Sequence, residues 1–148
     1  MRFLSAASGK SVWRGLDYHH AGRVKSVRQT GPSEYEGEVW GGAPEPYHVR
    51  IDVDHPRRSV CDCPHAKDRL VVCKHKVALF FAAFPDAEGE FLREVEEEER
   101  EYEAEMERWK AERRRRIEAY VKGLSASEAR AQLVEALIDI EDMSRSQW

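Results

Sequence analysis

The chain has 148 residues, and 35% of them are charged, with a mean hydropathy of −0.71. That length suits one domain, or one domain with an appendage, and no run approaches the roughly 18 apolar residues of a membrane span. The net charge of −4 hides a split, because residues 1–85 balance at +4 and residues 86–148 at −8, so a mildly basic front half precedes a strongly acidic rear half.

Residues 1–22 show no clear periodicity and are expected to form a loop or short turns. Met1-Arg2-Phe3-Leu4-Ser5 is too short and polar for a signal peptide. A cytoplasmic, reducing setting is the expectation, with nucleoid or nucleus also open. His19 and His20 have no cysteine close by in sequence and read as surface residues. From Arg23 the pattern turns to strand. Residues 23–30, 33–40, 46–54 and 57–63 are expected as strands, separated by Gly31-Pro32, Gly41-Gly42 and His55-Pro56. In 46–54, Tyr47, Val49, Ile51 and Val53 alternate with His48, Arg50, Asp52 and Asp54, the pattern of a half-buried antiparallel strand. Trp13, Tyr18, Tyr35, Trp40 and Tyr47 are expected to pack in the core or hairpins rather than stack on bases.

Residues 73–84 change to helical spacing, with Val77, Phe80, Phe81 and Phe84 inward, and Pro85 ends the run. A charged helix is expected from about Glu90 to Lys122, with a thin apolar stripe that includes Tyr102, Met106 and Trp109. Ser125–Glu128 has the form of a capping box opening a last helix to about Asp142. That helix can fold back on the long one as a hairpin, or the stripe can serve as an interaction arm. The fold class expected is therefore α+β: a small antiparallel meander plus helix in residues 1–85, then a charged helical tail in residues 86–148.

Cys61, Cys63, Cys73 and His75 carry the chemistry. The three cysteines are an odd number, which argues against a secreted disulfide framework. Residues i and i+2 on a strand face the same way, so Cys61 and Cys63 can grip one metal. Cys73 and His75 fall where a helix begins, where thiolates gain from the free N–H groups and the dipole. Three thiolates and an imidazole suit a closed, tetrahedral, structural Zn2+ site. His65, just after Pro64, is the alternative fourth ligand. Three buried cysteines with an unrelated histidine, or a Cys61–Cys63 disulfide, are the rival readings.

The stretch CDCPHAKDRLVVCKH resembles the SWIM-type zinc finger, with its C-x-C and C-x-H pairs. The flanks are similar too: Arg14-Gly15-Leu16-Asp17-Tyr18 upstream, Tyr47-His-Val49-Arg-Ile51 before the cysteines, Cys63-Pro64, and the apolar helix after Cys73-Lys74-His75. The resemblance spans residues 11–85. It implies a hairpin-plus-helix zinc module that binds DNA or proteins, of the kind found beside Swi/Snf-type helicases and recombination factors. The acidic tail lies outside the pattern.

Arg57, Arg58, Lys67, Arg69, Lys74 and Lys76 surround the ligands and form a candidate nucleic-acid contact. With only +4 on the front half, such binding is expected to be modest and salt-dependent. No nucleophile elbow, phosphate loop or metalloprotease motif occurs, so the protein is expected not to be an enzyme. The function expected is a DNA-binding accessory factor, and the alternative is a protein-interaction adaptor. Partners are expected to be DNA, or a protein or second copy along residues 90–142, with no membrane or small-molecule substrate.

Overall fold

A computed structural model describes residues 2–145 of the protein; residues 146–148 of the expected tail lie outside that range. The elements run α1 (Arg2–Ser5), α2 (Gly9–His20), β1 (Val24–Gln29), β2 (Glu34–Val39), β3 (Tyr47–Asp52), β4 (Val60–Cys61), α3 (Lys74–Ala83), α4 (Ala87–Lys122) and α5 (Ala126–Arg145). The chain divides into two compact units at Glu96/Glu97. The first ten residues of α4 belong to the first unit and the rest to the second.

In the first unit the four strands pair antiparallel in the order β1-β2-β3-β4, a meander. The alternation in 46–54 is real: Val49 and Ile51 are buried while His48 and Arg50 face out. Asp52 breaks the expected polar-out pattern. It is 8% exposed, and its carboxylate accepts bonds from the Ser33 hydroxyl and from the backbone N–H groups of Asp54 and His55. The fourth strand is shorter than the 57–63 expected, because Pro56–Arg58 forms a 3-10 turn, and proline has no N–H for a ladder.

α3 lies against the sheet, and α2 packs on α3. Its inward side chains, Val77, Leu79 and Phe81, meet Val39, Val49 and Ile51 from the sheet, Val12 and Leu16 from α2, and Phe3 and Leu4 from α1. Phe3 stacks on Phe80 at 4.8 Å.

The structure corrects the expected loop at 1–22, which contains the 12-residue helix α2. Ser8 caps it, accepting from the Ser11 N–H at 3.2 Å. Two glycines, Gly9 and Gly15, weaken the local helix signal, so packing decides the matter. A Cβ on Gly15 would lie 2.4 Å from the Val77 Cβ and 3.0 Å from the Lys74 carbonyl oxygen. Glycine there lets α2 approach α3 closely enough to bury Val12 and Leu16. His20 is exposed and meets Glu88 at 2.7 Å, while His19 is half-buried beside Phe81.

The second unit is two helices. The expected capping box forms: the Ser125 hydroxyl accepts from the Glu128 N–H, and the Glu128 carboxylate accepts from the Ser125 N–H. Gln132 of α5 donates to the Tyr120 hydroxyl of α4 at 2.6 Å, and the apolar side chains of α5 stay open to solvent. α5 has no buried residue, and Leu133, Leu137 and Ile140 remain 58%, 54% and 61% exposed. Among the described residues no helix is long and apolar enough to cross a membrane.

Candidate metal centre

Four residues from β4, the turn after it and the start of α3 converge on one point. Cys61 ends β4, where pairing with Val49 fixes its backbone. Cys63 follows in a tight turn, its carbonyl accepting from the N–H groups of Ala66 and Lys67 at 3.0 and 2.9 Å. Cys73 is the N-cap residue of α3, and His75 lies in that helix's first turn. The loop between the two pairs is anchored by a parallel bridge of Val72 to Ala7, and Asp68 adopts φ 58°, in the left-handed region.

The ligand atoms of Cys61, Cys63, Cys73 and His75 all lie within 4.8 Å of one another, and all four residues are buried. The Cys61 Sγ and His75 Nδ1 are 3.8 Å apart, as are the sulfurs of Cys63 and Cys73, and Cys73 Sγ is 4.0 Å from Nδ1. Such a set can hold a single metal ion. His65, the alternative ligand, is exposed and stands outside the cluster. The three cysteines are free of disulfides, which removes the Cys61–Cys63 bridge.

Two features of the surroundings fit a cation. Left to themselves, three crowded buried thiols cannot all ionise. Cys73 takes the charge: hydrogen bonding from Cys61 pulls it down to about 3 against the opposing effect of burial, helped by His75. Cys61 is driven far up by its hydrogen bond with Cys73 and by burial, and Cys63 is raised by burial and by the charge on Cys73. A dication reverses that logic by stabilising all three thiolates together. The second feature is His75. Its Nδ1 faces the sulfurs, and its Nε2 is buried with no hydrogen-bond partner. The orphan carries a cost that a ligand bond at Nδ1 would offset without satisfying Nε2 itself. The rings of Tyr47 and Tyr18 flank it at 4.7 and 5.5 Å. A Cβ on Gly41 would come 2.2 Å from the Tyr47 ring and 3.1 Å from Nε2, so glycine there keeps the wall in place.

The six basic residues expected around the ligands separate into distinct environments. Lys67 and Arg69 are exposed on the ligand loop, beside Leu70, which is 75% exposed. Arg57 and Arg58 are exposed on the 3-10 turn and line a surface hollow with Arg2. Lys74 is half-buried and donates to the Tyr18 hydroxyl at 2.5 Å, its ammonium 4.2 Å from that ring's centre. Lys76 departs from the expected rim. It is 1% exposed, and its ammonium donates at 2.7 Å to the carbonyls of Ser59 and of Val71. It ties Ser59, at the end of the 3-10 turn, to the ligand loop and is shut off from solvent. Burial pulls its basicity down, opposed by the charge of the three cysteines.

Lys10 and Arg14 were not among the residues expected at the site. They line a hollow of about 500 Å³ with His65, Lys74 and the outer edge of the cluster. Their spacing of four was the available signal, and it has meaning only once residues 9–20 are read as a helix.

The chain matches no protein-family model, no curated protein and no solved structure.

Proposed function

We propose that the protein is a non-catalytic zinc-finger protein of the SWIM type, in which one structural Zn2+ holds residues 2–96 together and the ligand loop contacts nucleic acid, DNA in the first instance. The observation that carries the reading is the closed cluster of three buried cysteines and one buried histidine. A tetrahedron about zinc with Zn–S bonds of about 2.3 Å has S–S edges of about 3.8 Å, and the Cys63–Cys73 separation is 3.8 Å. Four protein donors leave no open position for substrate or water, which separates structural from catalytic zinc sites. The meander, the glycine-bearing segment around Arg14–Tyr18 that packs against α3, and the metal-bearing helix start support the SWIM resemblance.

The nucleic-acid part rests on the exposed cations Arg57, Arg58, Lys67 and Arg69. Lys76, being enclosed, has no share in it. Such contacts would be backbone-directed and weak, and would fade as salt rises. Metal analysis joined to a DNA-retention assay tests both parts. One zinc per chain is expected. Lys67→Glu with Arg69→Glu is expected to lower DNA affinity about tenfold at low salt, with zinc content unchanged. Absence of DNA retention by the wild type, even at about 50 mM salt, sinks the nucleic-acid reading. Absence of bound zinc after purification without chelators sinks the whole.

A second reading, an adaptor working through the helical tail, is favoured by one observation: Tyr102, Trp109, Leu133, Leu137 and Ile140 of α4 and α5 are each more than half exposed.

A further inference from the structure

The charges of the second unit are not scattered. Residues 97–107 hold seven glutamates against one arginine, a balance of −6, and residues 108–122 hold seven basic side chains against two acidic, a balance of +5. These two stretches are consecutive on one uninterrupted helix, about 39 Å long from Glu97 to Lys122. Local pairing does not account for the split. Lys110–Glu107 and Arg114–Glu118 span three and four residues, and such pairs need alternating charge, not two blocks. Two blocks of opposite sign and nearly equal size make the helix complementary to itself reversed.

The apolar side chains on the same helix ask for a cover. Tyr102, Met106 and Trp109 recur at spacings of four and three, with Ile117 and Tyr120 further on, the seam of a helix pair rather than of a solvated helix. Tyr102, Trp109 and Tyr120 are 66%, 51% and 56% exposed. α5 repeats the pattern in Leu133, Leu137 and Ile140. Large exposed apolar side chains recurring at helical spacing fit an interface.

We propose that residues 97–145 associate with a second copy of this chain, α4 running antiparallel to its counterpart so that the 97–107 stretch of each lies on the 108–122 stretch of the other, with the apolar faces of α4 and α5 buried between them. This rests on the reading of the tail as an interaction arm, and it names the partner. A parallel pair would set −6 on −6 and +5 on +5. An antiparallel pair sets −6 on +5 twice, and a two-fold axis needs such self-complementarity. A foreign partner has no need of it.

Analytical ultracentrifugation of the full zinc-loaded chain tests the proposal. The wild type is expected to sediment as a dimer that weakens when salt rises from about 50 to about 500 mM, since the paired charges are solvent-exposed. Changing Arg113, Arg114, Arg115 and Arg116 together to Glu is expected to raise the dimer dissociation constant at least about tenfold. Changing Glu97, Glu98, Glu101 and Glu105 together to Lys is expected to do the same. Mixed in equal amounts, the two variants are expected to form a heterodimer. A Leu133→Gln, Leu137→Gln, Ile140→Gln variant is expected to be monomeric with its helical circular dichroism kept. A wild type that stays monomeric into the millimolar range overturns self-association while leaving the adaptor reading standing with a foreign partner. A dimer that strengthens with salt, or that survives either reversal, overturns the antiparallel pairing.

Discussion

In residues 2–96 the side chains of Phe3, Val39, Ile51, Val77, Leu79 and Phe81 are at most 2% exposed, whereas between 97 and 145 those of Tyr102, Trp109, Leu133, Leu137 and Ile140 are 51–66% exposed. The two regions hold their shape by different physics. The first depends on contacts between residues far apart in sequence: a sheet whose ladders run from residue 24 to 61, a helix laid on it, and ligands drawn from both sides of a nine-residue loop. The second depends on its own backbone bonds, its cap and its near-neighbour charges. Isolated helices of this kind draw little stability from tertiary packing. The cluster that can hold a metal lies in the first region.

Removing the proposed zinc is therefore expected to have the largest effect and to split the molecule along that line. Structural zinc contributes on the order of 10 kcal/mol in small domains, comparable with the whole stability of a domain this size. After chelation, the near-ultraviolet circular dichroism from the aromatic contacts of residues 2–96 is expected to collapse. The far-ultraviolet helical signal of α4 and α5 is expected to persist in large part. Cys61→Ser should behave in the same way. A near-ultraviolet spectrum and a cooperative melt that both survive verified loss of metal would mean that packing alone holds the first region.

The next effect in size is a matched pair of truncations. Phe81 is 1% exposed, and its ring meets Phe80 at 5.8 Å and Phe91 at 6.1 Å. Phe81→Ala is expected to cost about 3–5 kcal/mol through lost burial and the cavity left behind. Leu137→Ala removes a side chain that is 54% exposed, and is expected to change the stability of the separated chain by less than about 0.5 kcal/mol. Urea denaturation followed by near-ultraviolet dichroism at low protein concentration measures both. A large cost for Leu137→Ala under those conditions would mean that α5 is covered within a single chain.

The sequence made some of this legible and not the rest, for identifiable reasons. The meander was readable because Gly and Pro mark its turns and because the run from Tyr47 to Val53 alternates cleanly. The clustering of Cys61, Cys63, Cys73 and His75 was readable because two x-separated pairs fit a strand end and a helix start. Helix α2 was not readable, because glycines at 9 and 15 lower its propensity, and their benefit appears only where Gly15 meets Val77 across the helix pair. Lys76 was read by its charge, yet carbonyls of Ser59 and Val71, 17 and 5 residues away, compensate its burial. Asp52 was read by its place in the alternation, yet donors from Ser33, Asp54 and His55 make an inward carboxylate affordable. In each case a long-range partner overrode a local rule. In the second region local rules foresaw the helices to within a few residues.

The smallest effect expected follows from that last point, and it tests the comparison from the other side. The Ser125 hydroxyl accepts from the Glu128 N–H at 3.3 Å and donates to the Glu128 carboxylate at 2.6 Å, and that carboxylate takes the Ser125 N–H at 2.8 Å. The carboxyl of Glu128 is held below its ordinary range first by the hydroxyl and then by the backbone bond. Every atom of this device lies within four residues, so Ser125→Ala is expected to fray the start of α5 and lower the far-ultraviolet helical signal slightly. The melting midpoint read from the near-ultraviolet bands of residues 2–96 should not move. A shift in that midpoint would show that the cap is felt across the Glu96/Glu97 boundary, and that the two regions do not melt as independently as their interiors suggest.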